Sequence, residues 1–365
     1  MTMDLERLLR NAIEIQQIPA PTFHEAARAA WIHRALSKLE LTSVELDPIG
    51  NVYARLRGGD GPPLVVSAHL DTVFPMETPL HCQRDAKRLR GPGIGDNAVA
   101  LAALLELAAD FSSTQLPGDL WLVANVGEEG LGNLLGMRKV VERFGDGPCA
   151  YLVLEGMALG HIYHRGLPVR RLRISIRGPG GHSWIHAARA SAIHKLIRLG
   201  DRLLSLPMPS APRSTLNIGL MRGGASINSV AASAEMEVDL RSEEPSTLES
   251  LVQQVEEVVR QQMEDGLQVH LEVIGERPCG GIAPSHPLVR MAMKVLEEAG
   301  VSPVYLERGS TDASVPLSRG LPAICLGLTY GGGAHSLEEY IEIEPLQKGY
   351  AALRQCILEA YDLHA

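Results

Sequence analysis

Two imidazoles and a group of carboxylates stand at the ends of apolar segments in this 365-residue chain, the placement a metal centre needs. His69 and Asp71 follow directly on an apolar run over 64–68. Two positions apart on extended backbone, they share one side, so the aspartate can hold the second imidazole nitrogen and fix its tautomer. Asp96 ends the approach Gly91-Pro92-Gly93-Ile94-Gly95 to a helix. Its commonplace reading is an N-cap; the sharper one is a carboxylate bridging two cations about 3.5–4 Å apart. Glu128 and Glu129 end a second apolar run, over 120–126. Adjacent carboxylates repel unless a cation is near, and extended backbone would send them to opposite sides, one toward metal and the other toward substrate as general base. Glu155 ends a third apolar run, and His335 follows Gly331-Gly332-Gly333-Ala334, with Ser336 and Glu339 close behind. Taken singly, these are a surface pair, a cap and a solvated acidic loop. Together they offer mixed nitrogen and oxygen donors, which suit zinc, manganese or cobalt better than a thiolate or all-oxygen site would.

Other chemistries are excluded by inspection. Gly181-His182-Ser183-Trp184-Ile185 is no G-x-S-x-G elbow, His24-Glu25 lacks the second histidine of H-E-x-x-H, and the glycine run before His335 lacks a phosphate-loop lysine. His161, His164, His186 and His194 have no partner pattern and read as ordinary histidines. The formal charge of −9 and sequence pI near 5.8 are spread along the chain. That argues against nucleic acid, whose phosphates need clustered Lys and Arg, and favours small molecules or peptides as partners. Residues 1–20 have amphipathic helical spacing without a signal-peptide core, and the apolar run over 99–109 is short and broken by Glu106, so no membrane association is expected. Five scattered cysteines without a C-x-x-C pair suit a reducing, cytoplasmic setting.

With 45% apolar residues, the chain can bury a large core and should divide into about two domains. Strands over 64–68, 120–126 and 151–154 alternate with helices over 97–111 and 133–144, the pattern of an α/β domain with a buried, mainly parallel sheet. The three ligand clusters follow those three strands, and open α/β sheets gather ligands at such carboxyl ends. Thr22 and Glu25 have capping-box spacing before a helix running to Leu39. From 167 the order becomes strand (169–176), helix (191–204), strands (216–221 and 232–240), helix (248–263) and strand (269–274). This β-α-β-β-α-β order is a ferredoxin-like α+β unit. The expected organisation is a first domain over 1–166 and 278–365, closing with a helix over 346–361, and an inserted domain over 167–277.

On these residues the chain resembles the co-catalytic metallo-exopeptidases and deacylases of clan MH, which include glutamate carboxypeptidase, peptidase T, acetylornithine deacetylase and succinyl-diaminopimelate desuccinylase. The marks of the resemblance are Ser67-Ala68-His69-Leu70-Asp71-Thr72, Gly93-Ile94-Gly95-Asp96-Asn97, Gly127-Glu128-Glu129-Gly130, Gly181-His182-Ser183, Gly223-Gly224 to Asn228, Asp239-Leu240-Arg241, Ser310-Thr311-Asp312 and Gly332-Gly333-Ala334-His335-Ser336. It implies a zinc-exopeptidase-like α/β/α catalytic domain holding two divalent ions, zinc foremost and cobalt or manganese as alternatives. His69 and Glu155 would hold one ion, Glu129 and His335 the other, and Asp96 both. Asp71 would orient His69, and Glu128 would be the general base toward a water shared by the ions. The inserted domain would be a dimerisation domain, making a homodimer in which His182 reaches the partner's active site to stabilise the oxyanion. Asn228 and Arg241 would contact polar groups of the substrate.

The implied reaction is cleavage of an amide bond in a small peptide or N-acyl amino acid. Glu at position 155 resembles carboxypeptidases and deacylases, whereas the loops around Asp96 and His182 are similar to peptidase T. The resemblance further implies a cis Asp96–Asn97 peptide bond. Where many members carry Lys and Gly soon after the bridging Asp, this chain has Asn97-Ala98-Val99-Ala100. The alternative from another class is a non-catalytic peptide- or metabolite-binding protein on the same fold.

Overall fold

A computed structural model describes residues 3–39, 41–261 and 266–363. The chain divides into two compact units, Met1–Gly166 with Cys279–Ala365, and Leu167–Pro278.

The first unit is built on an eight-stranded sheet in the order Ser43–Leu46, Val52–Leu56, Gly118–Asn125, Gly61–His69, Ala150–Glu155, Ala323–Gly327, His161–Gly166, Tyr305–Gly309. Its four central strands, from Gly118–Asn125 to Ala323–Gly327, run parallel to one another. Their sequences are near-continuous Val, Leu, Ile and Ala because both faces of a parallel sheet are covered, and almost every central residue is buried. Helices Val99–Phe111 and Leu346–Asp362 pack on Gly61–His69, and the amphipathic helix Leu5–Gln16 is tied to Val99–Phe111 by Arg7, whose guanidinium donates to both oxygens of Glu106. The expected interruption of that apolar run is thus an ion pair. No helix among the described residues is long and apolar enough to cross a membrane. All five cysteines are free thiols.

Register carries the site. His69 lies opposite Asn125, and Glu155 opposite Gly327, so the carboxyl ends of the central strands form one edge. A small antiparallel sheet, Gly331–Gly332, Tyr340–Glu342, Arg88–Arg90 and Gln83–Arg84, pairs Tyr340 with Arg90 and so brings the two glycine-rich loops after Arg90 and before Tyr340 together.

Element boundaries depart from expectation next to the candidate ligands. The helix expected from 97 starts at Val99, because Asp96 and Asn97 leave helical φ/ψ, and the Asp96–Asn97 bond is cis, as the resemblance implied. Leu135–Phe144 starts late because Asn133 and Leu134 are left-handed. The capping box is a misreading: helix Ala26–Leu36 has Glu25 at its N-cap with no side-chain cap.

The second unit is a four-stranded antiparallel sheet, ordered Ser214–Gly223, Ser233–Ser242, Val169–Arg177, Gln268–Arg277, with helices Ala192–Leu204 and Pro245–Arg260 packed on it. Strict alternation explains the burial: Leu172, Ile174, Ile176, Met236, Val238 and Leu240 form its core, while Arg173 and Glu237 pair on the other face. The chain order is the ferredoxin-like one. Of the helix expected over 248–263, residues 262 and 263 lie outside the described residues.

Candidate metal centre

His69, the last residue of its strand, is 2% exposed. Its Nδ1 lies 3.0 Å from the Asp71 carbonyl oxygen and 3.5 Å from that residue's carboxylate, leaving Nε2 3.0 Å from Asp96 Oδ1 and 3.7 Å from Glu155 Oε2. The imidazole is thus turned chiefly by the backbone of Asp71. The carboxylate of Asp71 is engaged elsewhere: it accepts the N–H of Glu128 (2.9 Å), the N–H of Glu129 (2.8 Å) and the hydroxyl of Thr22 (2.9 Å). It therefore fixes the acidic loop as well as the histidine.

That loop corrects one expectation. Glu128 and Glu129 do not diverge, since each offers an oxygen within 4.8 Å of a His69 nitrogen. The strand has already ended at Asn125, and Gly127 (φ +66°) and Gly130 (φ +47°) turn the chain, so strand alternation does not apply. Glu25 secures the same loop by accepting the Gly127 N–H at 3.0 Å. Thr22 and Glu25, read as a helix cap, thus serve the site. Beneath them the fully buried Arg28 donates to the carbonyls of Ile18 and Leu70, and its charge faces Asp71 and Glu25.

Asp96 caps no helix. Its Oδ1 faces His69, and its Oδ2 lies 3.1 Å from His335 Nε2, which is itself 3.3 Å from Glu129 Oε1. Among the described residues, three donor groups have their ligand atoms within 4.8 Å of one another: His69, Asp96 and Glu155; Asp96, Glu129 and His335; and His69, Glu128 and Glu129. Sequence reasoning missed the partnership behind this shell of Asn125, whose Nδ2 donates at 2.6 Å to the fully buried Asp312. Only the strand-end position of Asn125 and the acidic residue in Ser310-Thr311-Asp312 hinted at it.

The charges are crowded. Burial and the charge of Asp96 push Glu129 up to about 8, and burial with Asp96 and Glu128 pushes Glu155 up to about 7. Burial would also raise Asp96, but hydrogen bonds from His335 and His69 outweigh it and hold its pKa low. His335, bonded to Asp96 and Glu129, rises to about 10. Burial pulls His69 down, yet its bonds to Asp71, Asp96 and Glu155 carry it well above its ordinary value. Protons thus stand where cations would relieve the same repulsion.

The remaining predicted residues belong to the second unit. His182 lies in the short strand Gly181–His182, paired with Ser229–Val230. Its amide donates to His186 Nδ1 at 3.0 Å, and the Trp184 amide donates to His182 Nδ1 at 3.2 Å. Asn228 accepts the Ser183 amide on its carbonyl and the Ser226 hydroxyl on Oδ1. Arg241 is held by Asp239, which also binds Arg171.

Residues 65–359 match peptidase family M20/M25/M40. The chain belongs to this family. It is accordingly a hydrolase of peptide or other linear amide bonds. Among relatives of this M20/M25/M40 member, a succinyl-diaminopimelate desuccinylase of Corynebacterium glutamicum is 26% identical and aligns over 94% of each chain. A tripeptidase of Staphylococcus aureus shares the fold, with TM-score 0.79 and 22% identity over 99% of this chain and 100% of its own. So does a dinuclear metal binding peptidase of Bacillus subtilis, with TM-score 0.66 and 17% identity over 98% of both.

Proposed function

We propose that this chain is a dinuclear metal-dependent exopeptidase or deacylase that cleaves an amide bond of a small peptide or N-acyl amino acid, with Glu128 as general base. The observation that carries this reading is the two-sided placement of Asp96, whose oxygens face one histidine each and complete two donor groups. The donors fit the ions: imidazole with carboxylate suits zinc, cobalt or manganese, and buried carboxylates this crowded call for positive charge. His69 and Glu155 would hold one ion, Glu129 and His335 the other, and Asp96 both. Divalent ions bound there would polarise a carbonyl and make water acidic near neutrality. Glu128 would take a proton from that water and return it to the departing amine, a role supported by its 5% exposure and its place beside His69 and Glu129. The likeness to the desuccinylase, the tripeptidase and the dinuclear peptidase supports the substrate class and the pair of ions. The decisive experiment is a panel of dipeptides, tripeptides and N-acyl amino acids offered to protein loaded with zinc, manganese or cobalt. Turnover of at least one class is expected, and none on any of them would overturn the reading.

Ion binding should also release protons. Near neutrality the metal-free cluster retains them on groups such as Glu129 and His335, whose pKa values lie above that pH, and a bound ion must displace them. Affinity should therefore climb with pH and level off only above about 10, the value for His335. Calorimetry in buffers of different ionisation enthalpy checks this; a binding heat independent of buffer would contradict it.

The second unit is read as a dimerisation domain. Supporting this are the apolar side chains exposed on it, Ile197 and Leu204 on one helix and Leu220 and Met221 on the edge strand Ser214–Gly223. His182 accepts on Nδ1, which leaves Nε2 as its donor in the neutral ring, the form needed for an oxyanion. Asn228 and Arg241 would bind polar substrate groups. His182→Ala should lower kcat by about 10²–10³-fold while ion binding is unchanged. If His182 acts across the dimer, mixing this variant with Glu128→Gln restores activity, because hybrid dimers contain one site with both residues; no recovery in subunits shown to exchange would refute the trans role.

A further inference from the structure

Besides Asp71, a second carboxylate outside the proposed ligands is fully engaged by backbone near the centre. Glu339 is fully buried, and its side chain accepts three backbone N–H groups from the loop carrying Asp96: Gly93 on Oε2 at 3.1 Å, Gly95 on Oε1 at 2.7 Å and Asp96 on Oε1 at 2.9 Å. Its own carbonyl accepts the Gly91 N–H at 2.9 Å. A buried carboxylate is costly unless hydrogen-bonded, and here the loop's amides supply the bonds.

We propose that Glu339 is a positioning residue for the metal centre, holding the Asp96 loop and the His335 loop in the register that lets one aspartate face both ion sites. The inference rests on the proposed reading of Asp96 as the shared ligand. The loop 91–96 carries three glycines, so its backbone has little intrinsic preference, and the direction of the Asp96 side chain must be imposed from outside. Glu339 can impose it because it stands four residues beyond His335. The turn between them is closed by hydrogen bonds from Ser336 to Gly333 and from Glu339 to Ser336. A shift in one loop is thereby passed to the other, and the 3.1 Å approach of Asp96 Oδ2 to His335 Nε2 is kept.

The test is Glu339→Gln, nearly isosteric, in which an NH2 replaces one accepting oxygen and meets an N–H of the loop. Cobalt affinity should fall by about 10–100-fold, the usual cost of losing a group that orients a ligand, and the visible absorption of the cobalt-loaded protein should change. The amide oxygen keeps the position that accepts both Gly95 and Asp96, so in the metal-free protein the Gly93 amide, which the NH2 then faces, should exchange with solvent about tenfold faster or more. Unchanged affinity, spectrum and exchange would overturn the proposal; a merely structural role would lower the melting temperature and leave the spectrum alone. Should Glu339→Gln not fold, Glu339→Asp, one methylene too short to reach all three amides, carries the same measurements. Wild-type protein that binds no cobalt would defeat the reading of the centre itself, and amide exchange without metal would still decide whether Glu339 holds the loop.

Discussion

Glu128→Gln is expected to bind its ions normally and to lose turnover, with kcat down by about 10²–10⁴-fold, the range for a general base. The substitution keeps shape and removes only the capacity to accept a proton. The loop should survive it, because residue 128 is tied to Asp71 through its backbone N–H, which the change does not touch. Nor should the ions leave, since neither donor group that shares Asp96 includes Glu128. The pattern to look for is a collapsed kcat with KM and cobalt stoichiometry preserved, which is how an interaction made only in the transition state behaves. Two other outcomes are informative. Undiminished turnover would hand the proton transfer to a different group. Loss of an ion would make Glu128 a ligand, as its place with His69 and Glu129 in the third donor group would permit.

How far the sequence reveals this site depends on which forces act locally. The strands ending at His69, Asn125 and Glu155 are legible because a sheet covered on both faces demands unbroken apolar runs, and such runs stop where the chain meets solvent and ligands. The inserted unit is legible for the complementary reason, a period-two pattern that puts Leu172, Ile174 and Ile176 inside and Arg171 and Arg173 outside.

What escapes is everything that satisfies hydrogen bonds across long stretches of chain. Thr22 and Glu25 have the spacing of a helix cap, yet their partners are Asp71 and Gly127, and no local rule pairs residues so far apart. Arg28 looks like a solvated helix residue until its guanidinium is seen to hold two backbone carbonyls beneath the site. The direction of Glu128 and Glu129 escapes because strand alternation stops at Asn125, before a turn set by two left-handed glycines. The sequence points to the carboxylate of Asp71, whereas its carbonyl lies closer to the imidazole.

On the proposed reading, in which one residue serves both ion sites, Asp96→Ala should cost the protein its second ion outright and reduce hydrolysis to background. Groups that only orient a ligand are worth about 10–100-fold in affinity, and a direct ligand is worth more at each ion it serves. With Asp96 gone, each of the two donor groups that share it is left with two of its three members, fewer than the three protein ligands usual for a catalytic ion. Asp96→Asn separates bridging from simple ligation. Its one carbonyl oxygen can serve a single ion while the NH2 faces the other, so cobalt titration should end at one equivalent instead of two. The metal-free protein offers an independent check. His335 is lifted to about 10 first by Asp96 and then by Glu129, so in Asp96→Asn its imidazole should titrate closer to its ordinary value. Proton NMR of that ring would show the drop. A His335 that titrates as in the wild type, together with two bound ions, would mean that Asp96 joins nothing.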